Sequence, residues 1–225
     1  MLARLTACVA LAAALVAGAG AAPPKKFAPR VDNPWFPLVP GTTFVYRGTS
    51  DGHATRDVVT VTHRTKMIAG VRCTVVDDRV YEDGRLAERT TDWYAQDAGG
   101  TVWYFGEATA ELDEHGKVTS TEGSWEAGRG GARAGIFMPA RPRAGQSFRQ
   151  EYLRGHAEDW FRVLNVSARV RVPYTSSRHA LLTKEWTPLE PGVVDHKVYV
   201  RGVGLVQEAS VKGGHERLAL VSVRR

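Results

Sequence analysis

The sequence predicts an all-β protein in which antiparallel strands follow one another as a meander. Three observations predict this fold class. Short runs rich in Val, Thr, Tyr and Trp alternate with Gly and Asp turns after residue 41. No segment carries a sustained apolar stripe at helical spacing. A chain of about a dozen short strands must curl, close or split, so we expect a strongly curved sheet or partly open barrel, with a two-layer sandwich as the second choice.

Composition and charge narrow the class of protein. The 225 residues are 43% apolar and 24% charged, which excludes a disordered or collagen-like chain. The formal charge is +6, and basic residues are interleaved with acids along the chain. This distribution does not predict a nucleic-acid partner. The sequence lacks a nucleotide-binding glycine motif, a zinc-type Cys/His spacing and a G-x-S-x-G elbow, so we assign no cofactor.

Residues 1–21 are predicted to be a secretory signal peptide. Arg4 provides the positive start, Leu5–Val16 is almost wholly apolar, and Ala19-Gly20-Ala21 forms a cleavage site. The apolar run is shorter than the roughly 20 residues of a membrane span. We therefore expect no transmembrane anchor after cleavage, and a secreted, periplasmic or cell-envelope location.

The two cysteines also bear on export. A lipoprotein box is conceivable around Cys8, but such a box should end the apolar region, which here mostly follows Cys8. Lipidation at Cys8 therefore stays open. Cleavage of the signal peptide leaves Cys73 as the only cysteine, so the mature chain cannot form an intrachain disulfide.

Residues 22–41 are predicted to form a proline-rich arm. Pro29, Pro34, Pro37 and Pro40 disfavour a helix and favour extended backbone. The aromatic residues between the prolines predict that this arm docks on the body of the protein. Residues 42–225 are predicted to form a single β domain.

Successive strands are expected throughout this domain, joined by short turns. Asp83-Gly84 predicts a type I′ hairpin that pairs Glu82 with Arg85 and Arg79 with Glu88. Gly213-Gly214 predicts a second hairpin, with Ala209 opposite Leu218. The expected strands are Thr42–Gly48, Asp57–Lys66, Arg72–Glu82, Leu86–Gln96, Thr101–Glu107, Lys117–Trp125, Ser147–Arg154, Trp160–Val172, Ala180–Trp186, Val193–Arg201, Val203–Lys212 and Glu216–Val223.

One predicted hairpin, Asp92–Glu107, carries aromatic residues on both faces. A four-residue turn at Asp97–Gly100 would place Tyr94 opposite Trp103 and Asp92 opposite Phe105. Strand alternation then gives two faces: Asp92, Tyr94, Gln96, Trp103, Phe105 and Glu107 on one, and Trp93, Ala95, Val102 and Tyr104 on the other. A hairpin with one solvated face does not place large aromatics on both, so something covers the second face.

Three kinds of cover remain open. The arm, with Trp35 and Phe36, could pack there as part of the core. The second face could instead be the wall of a ligand cavity lined by aromatics and a few acids. A partner protein could also cover it.

The favoured hypothesis is a non-catalytic binding module for an apolar or glycan-like small ligand, or for an envelope partner. Contact area would come from Trp35, Tyr94, Trp103, Phe105 and Trp125, while Asp92, Glu107 and Glu126 would orient polar groups. No catalytic residue and no metal site are assigned. Glu158-Asp159 could ligate calcium, but the spaced loop of an EF-hand is missing.

Two alternatives belong to other functional classes. A carboxylate-dependent, glycoside-active enzyme would use two of the acids Asp92, Glu107, Glu126 and Glu158 in a cleft. A structural or interaction protein of the cell envelope would instead have a filled barrel and an apolar outer patch. The sequence does not set the oligomeric state.

The chain resembles an uncharacterised family of secreted bacterial proteins. The segments that carry the resemblance are Asn33–Leu38 with Pro40–Thr42, Asp92–Asp97, Val102–Glu107, Gly123–Gly128, Met138–Ala140 and Thr187–Gly192. They span nearly the whole mature chain. The resemblance implies a single exported domain, and it implies no activity, ligand or site residue.

Overall fold

The computed structural model describes residues 23–24 and 26–225, so the predicted signal peptide and Cys8 lie outside the described residues. The described chain is all-β, with 14 antiparallel strands in one sheet and no helix. The strands are β1 Thr43–Ser50, β2 His53–Ile68, β3 Val71–Glu82, β4 Arg85–Gln96, β5 Val102–Leu112, β6 Val118–Ser120, β7 Trp125–Glu126, β8 Gly135–Met138, β9 Ser147–Arg149, β10 Trp160–Arg171, β11 Ser176–Trp186, β12 Val194–Val200, β13 Gly204–Lys212 and β14 Arg217–Arg224.

The sheet is open and strongly curved. Its order is β6-β5-β4-β3-β2-β1-β14-β13-β12-β11-β10-β9, with β7 and β8 paired to β5. The chain therefore forms two meanders joined where β1 pairs with β14. This arrangement confirms the predicted fold class, and a single sheet replaces the second-choice sandwich. The described residues include no helix that could span a membrane.

Hairpin chemistry explains where the predicted register holds and where it fails. Asp83 and Gly84 both have positive φ, as a type I′ turn requires, and Glu82 pairs with Arg85 as predicted. A register shift between Val80 and Tyr81 then places Val80 opposite Glu88. The predicted Arg79–Glu88 pair is therefore wrong, because a bulge adds a residue to one strand.

Other errors also come from irregular connections. The predicted strand Lys117–Trp125 is divided by a turn into β6 and β7, and only Ser147–Arg149 of the predicted Ser147–Arg154 is a strand. The short strand β8 was not predicted. In the last hairpin Ala209 faces Arg217, one residue from the expected Leu218.

The proline-rich segment before β1 packs on the sheet at two places. Near its start, Phe27 forms a β-bridge with Asp97 in the β4–β5 turn. Farther along, the buried Asn33 side chain donates to the carbonyls of Gly100 at 2.8 Å and Pro139 at 3.2 Å. The N–H of Gly202, in the β12–β13 turn, donates to the Pro34 carbonyl at 2.7 Å. This segment therefore spans from one meander to the other across the mouth of the curved sheet.

Candidate functional site

The β4–β5 hairpin differs in register from the prediction. Gln96 pairs with Val102 and Tyr94 pairs with Tyr104, so five residues connect the strands instead of four. The Asp97 carboxylate stabilises this turn by accepting from the N–H groups of Gly99 at 2.8 Å and Thr101 at 3.0 Å. The predicted pairs of Tyr94 with Trp103 and of Asp92 with Phe105 are therefore wrong.

A second irregularity in the hairpin sets which side chains face inward. The register shifts between Asp92 and Tyr94, so Asp92 pairs with Glu107 while Tyr94 pairs with Tyr104. Gly106 lies opposite the shift with φ of +128°, and a Cβ there would be 2.2 Å from the Trp125 carbonyl oxygen. Only glycine fits this close approach without a shift in the backbone.

The convex face of the hairpin is covered by the chain itself. Phe105 packs edge-to-face on Phe27 at 5.6 Å between ring centroids. The indole N–H of Trp103 donates to Asp97 at 2.9 Å, and the ammonium of Lys66 lies 3.4 Å from the Trp93 ring centroid. Trp103 and Phe105 therefore lie on the face opposite to Tyr94, which corrects the predicted face assignment.

The concave face carries a different set of aromatics. The rings of Tyr94 and Tyr104 stack with their centroids 4.7 Å apart. Both hydroxyls donate to the Asp92 carboxylate, Tyr94 at 3.4 Å and Tyr104 at 2.6 Å. Phe36 of the arm and Phe137 of β8 both pack edge-to-face on Tyr94, with ring centroids 5.2 and 4.9 Å from the Tyr94 centroid. These rings form one wall of a cavity.

The cavity has a volume of about 250 Å³ and lies between the concave face and the arm. Apolar and aromatic side chains alternate around it with seven carboxyls and a single lysine. The residues that line it are Phe36, Pro37, Leu38, Phe44, Tyr46, Asp57, Val59, Val76, Asp78, Asp92, Tyr94, Tyr104, Phe137, Gln150, Glu151, Asp159, Glu185, Lys197, Val203, Gly204, Leu205 and Glu208.

Four acids, which we call the carboxyl row, cross adjacent strands on the inner face: Asp57 on β2, Asp78 on β3, Asp92 on β4 and Glu107 on β5. The register explains the row. Val59 pairs with Asp78, so Asp57 is its diagonal neighbour, and Val76 pairs with Asp92, so Asp92 is diagonal to Asp78. Glu107 lies directly opposite Asp92. Side-chain alternation thus places all four on one face.

Most cavity carboxyls have no basic partner. Lys197 binds Glu185 at 3.0 Å and Glu208 at 3.2 Å. Within the described part of the chain, none of the other five cavity acids (Asp57, Asp78, Asp92, Glu151 and Asp159) forms an ion pair. One oxygen of Asp57 and one of Asp78 are buried and receive no hydrogen bond from a donor of the described chain. Native proteins rarely leave such groups unsatisfied.

Burial and mutual repulsion favour the protonated, uncharged form of these acids and so raise their pKa values toward neutral pH. Burial raises the pKa of Asp57 to about 6, and neighbouring acids add to the rise. Burial likewise raises the pKa of Asp92 to about 7, although the Tyr104 hydroxyl partly offsets it by donating to the carboxylate. Burial, with Asp159 nearby, raises the pKa of Glu151 to about 8. The cavity can therefore gain or lose protons near neutral pH.

The other residues predicted for the site do not line the cavity. Trp125 packs edge-to-face behind Tyr104 at 5.4 Å. Glu126 binds Lys66 at 2.6 Å and Arg129 at 2.8 Å, away from the cavity lining. Trp35 is buried in the arm, with the Arg201 guanidinium 5.1 Å from its ring centroid. Of the eight predicted residues, Asp92 and Tyr94 line the cavity, and Glu107 lies next to Asp92.

Sequence reasoning missed Asp57, Asp78 and the cluster around Lys197. One signal was present for Asp78, because two valines, Val76 and Val80, flank it on the same face of the strand. An acid on such a face is a departure from the pattern. The sequence did not show that this face is concave, or that the acids of four strands share it.

Comparison with known proteins supports the fold. No protein-family model matches the sequence, and no curated protein matches it. A crystal structure of a putative exported protein with a YmcC-like fold from Bacteroides fragilis is similar, with a TM-score of 0.52 and 11% identity, over 85% of this chain and 99% of that one. A putative lipoprotein from Parabacteroides distasonis has a TM-score of 0.44 and 10% identity, over 84% and 98% of the two chains.

Proposed function

We propose that the protein is an exported, non-catalytic binding protein that encloses a compact small molecule between its curved sheet and its arm. The observation that carries this proposal is the cavity of about 250 Å³, in which aromatic walls surround carboxyl oxygens without partners. Ligand pockets typically combine a mostly apolar lining with a few convergent polar groups. A buried acceptor without a donor destabilises the empty protein, and a ligand that supplies the donor removes this penalty.

The size of the cavity favours a compact ligand. Pockets for drug-sized molecules measure roughly 300–1,000 Å³, so this cavity suits a smaller molecule better than a saccharide chain. The glycosidase alternative needs two acids in the cavity, but of its four candidates only Asp92 lines it, and Glu126 and Glu158 form ion pairs with Lys66 and Arg149. A binding role therefore fits the geometry better than hydrolysis of a glycoside.

Export is supported from two directions. Residues 1–21 have the three-part pattern of a secretory signal peptide. The Bacteroides fragilis protein that shares the fold is described as exported. The proposed ligand is accordingly a molecule found in the periplasm, in the envelope or outside the cell.

A neutral aromatic probe tests enclosure without assuming the charge of the ligand. We expect benzyl alcohol to cause saturable ¹H–¹⁵N NMR shifts at amides around Val76, Leu205 and other cavity residues. Val203→Trp, placed in the lining, should abolish the saturable shifts. The matched control Val211→Trp, at a position that is 51% exposed, should leave them unchanged. Shifts that never saturate, or that persist in Val203→Trp, would overturn the proposal.

A further inference from the structure

We propose that the ligand is an organic cation, with a primary ammonium group held by Asp57 and Asp78 and an apolar body against the aromatic walls. This inference rests on the proposed function and adds the chemical class of the ligand.

The first argument is the geometry of the two acids. Asp57 and Asp78 are diagonal neighbours on β2 and β3, and both side chains line the cavity. The two carboxyls are close enough to share a proton, and one oxygen of each is buried with no donor from the rest of the described chain. A pair of acceptors this close, both facing one cavity, suits a donor with several N–H groups. A primary ammonium has three such donors and no acceptor.

The second argument is the charge around the cavity. Seven carboxyls face a single lysine, and that lysine is already bound to Glu185 and Glu208. An anionic ligand would face repulsion from the carboxyl row. A cation would instead provide a positively charged partner for the five cavity acids that form no ion pair. Cations are also attracted to aromatic faces, and Phe36, Phe44 and Tyr94 all line the cavity.

The third argument separates an organic cation from a metal ion. Among the described residues, no group of three or more His, Cys, Asp or Glu side chains is placed to hold a metal. Hard cations such as calcium take six to eight oxygen ligands at close range. Two carboxyls backed by aromatic and aliphatic side chains suit an ammonium on a carbon body better.

The proposal also accounts for how the empty protein tolerates its buried acids. Burial and repulsion between Asp57 and Asp78 keep a proton on the pair in the absence of ligand. An arriving ammonium would replace this proton as the donor, so the proton leaves to solvent. The other titratable or charged groups that act on the pair are Arg79, Glu88, Asp92, Glu208 and Glu216, and the buried Tyr46 beside the pair also interacts with Lys197.

Calorimetry with two matched probes tests the charge of the ligand. Benzylamine and benzyl alcohol have nearly the same shape and differ in charge. At pH 7 we expect benzylamine to bind at least tenfold more tightly than benzyl alcohol. We also expect the observed heat of benzylamine binding to change with the ionisation enthalpy of the buffer, because a proton is released.

Paired variants identify the acids involved. Asp78→Asn keeps the shape of the side chain and should reduce benzylamine affinity at least tenfold, while benzyl alcohol still binds. The control Asp77→Asn changes the adjacent residue on the opposite face, where Asp77 binds Arg64, and should leave both affinities unchanged. Retained binding of benzyl alcohol shows that Asp78→Asn is folded.

The outcomes separate the two proposals. Equal affinity for both probes would overturn the cationic ligand and leave the proposed function standing. Binding of neither probe would contradict the proposed function itself. Displacement of benzylamine by calcium chloride at equimolar concentration would mean that the carboxyl row is a metal site, and would also overturn the inference.

Discussion

The two faces of the β4–β5 hairpin are both rich in aromatic residues, yet they differ in how their acids are satisfied. On the convex face, Glu126 binds Lys66 and Arg129, and Asp97 accepts from the Trp103 indole. On the concave face, the acids of the carboxyl row form no ion pair within the described residues. Aromatic density therefore does not distinguish a core from a site, whereas buried carboxyl oxygens without a donor do.

The largest expected effect tests whether the convex face is purely structural. Phe105 is 1% exposed and packs on Phe27. Phe105→Ala should lower the free energy of unfolding by about 3–5 kcal/mol because it removes a buried ring and leaves a void. Urea denaturation measures this loss. Benzylamine affinity, measured where the variant is folded, should not change. A variant as stable as the parent, or one that has lost benzylamine binding while folded, would break the comparison.

An intermediate effect is expected from pH on the concave face. The pKa of Asp92 is raised to about 7 by burial, from an ordinary value near 3.8. The folded state therefore holds a proton that the unfolded state has released, so the stability that this group contributes is fully present below about pH 3.8, falls as pH rises through 7 and then levels off. Between pH 6 and 8 this one group should lower stability by about 1 kcal/mol, or ~2–4 °C in Tm.

The variant Asp92→Asn checks the origin of that pH dependence. Differential scanning calorimetry at pH 6, 7 and 8 should show a flatter Tm profile for Asp92→Asn than for the parent. On the convex face, Glu126→Gln provides the control and should keep the parent slope. A parent Tm that rises between pH 6 and 8 would show that the concave carboxyls are not held neutral by burial.

The smallest effect concerns the paired acid of the convex face. Glu126→Gln removes the contacts with Lys66 and Arg129, of which Arg129 is 77% exposed. Because ion pairs near the surface contribute little, we expect a loss of about 0.5–1 kcal/mol that shrinks at high salt. Urea denaturation at low and high sodium chloride measures it. The control Glu114→Gln, at an exposed turn, should leave the free energy of unfolding unchanged. A loss of stability in Glu126→Gln that is larger at high salt than at low salt would contradict an ion-pair contribution.

The sequence was sufficient for the fold class because strand and turn signals are local. Asp83-Gly84 predicted the β3–β4 turn and its first pair correctly. Registers beyond the first pairs failed at bulges, as at Val80 and at Gly106, because one extra residue exchanges the two faces of a strand. The faces of Trp103 and Phe105 were assigned wrongly because the β4–β5 turn has five residues instead of four, which shifts β5 by one residue.

The candidate site was harder to predict because it is not local. Asp57, Asp78, Asp92 and Glu107 come from four strands, and only the observed pairing brings them together. Glu151 reaches the cavity from the irregular connection after β9. No local pattern reports the curvature that makes this face concave, so the aromatic hairpin was recognised while the acids that distinguish its inner face were not.

A crystal structure of the protein soaked with benzylamine tests the central claim most directly. The account predicts electron density for the probe inside the cavity, with the ammonium nitrogen within hydrogen-bond distance of both Asp57 and Asp78 and the ring against Phe36, Phe44 or Tyr94. Density for the probe only outside the cavity, or inside it with the nitrogen turned away from both carboxyls, would contradict the account.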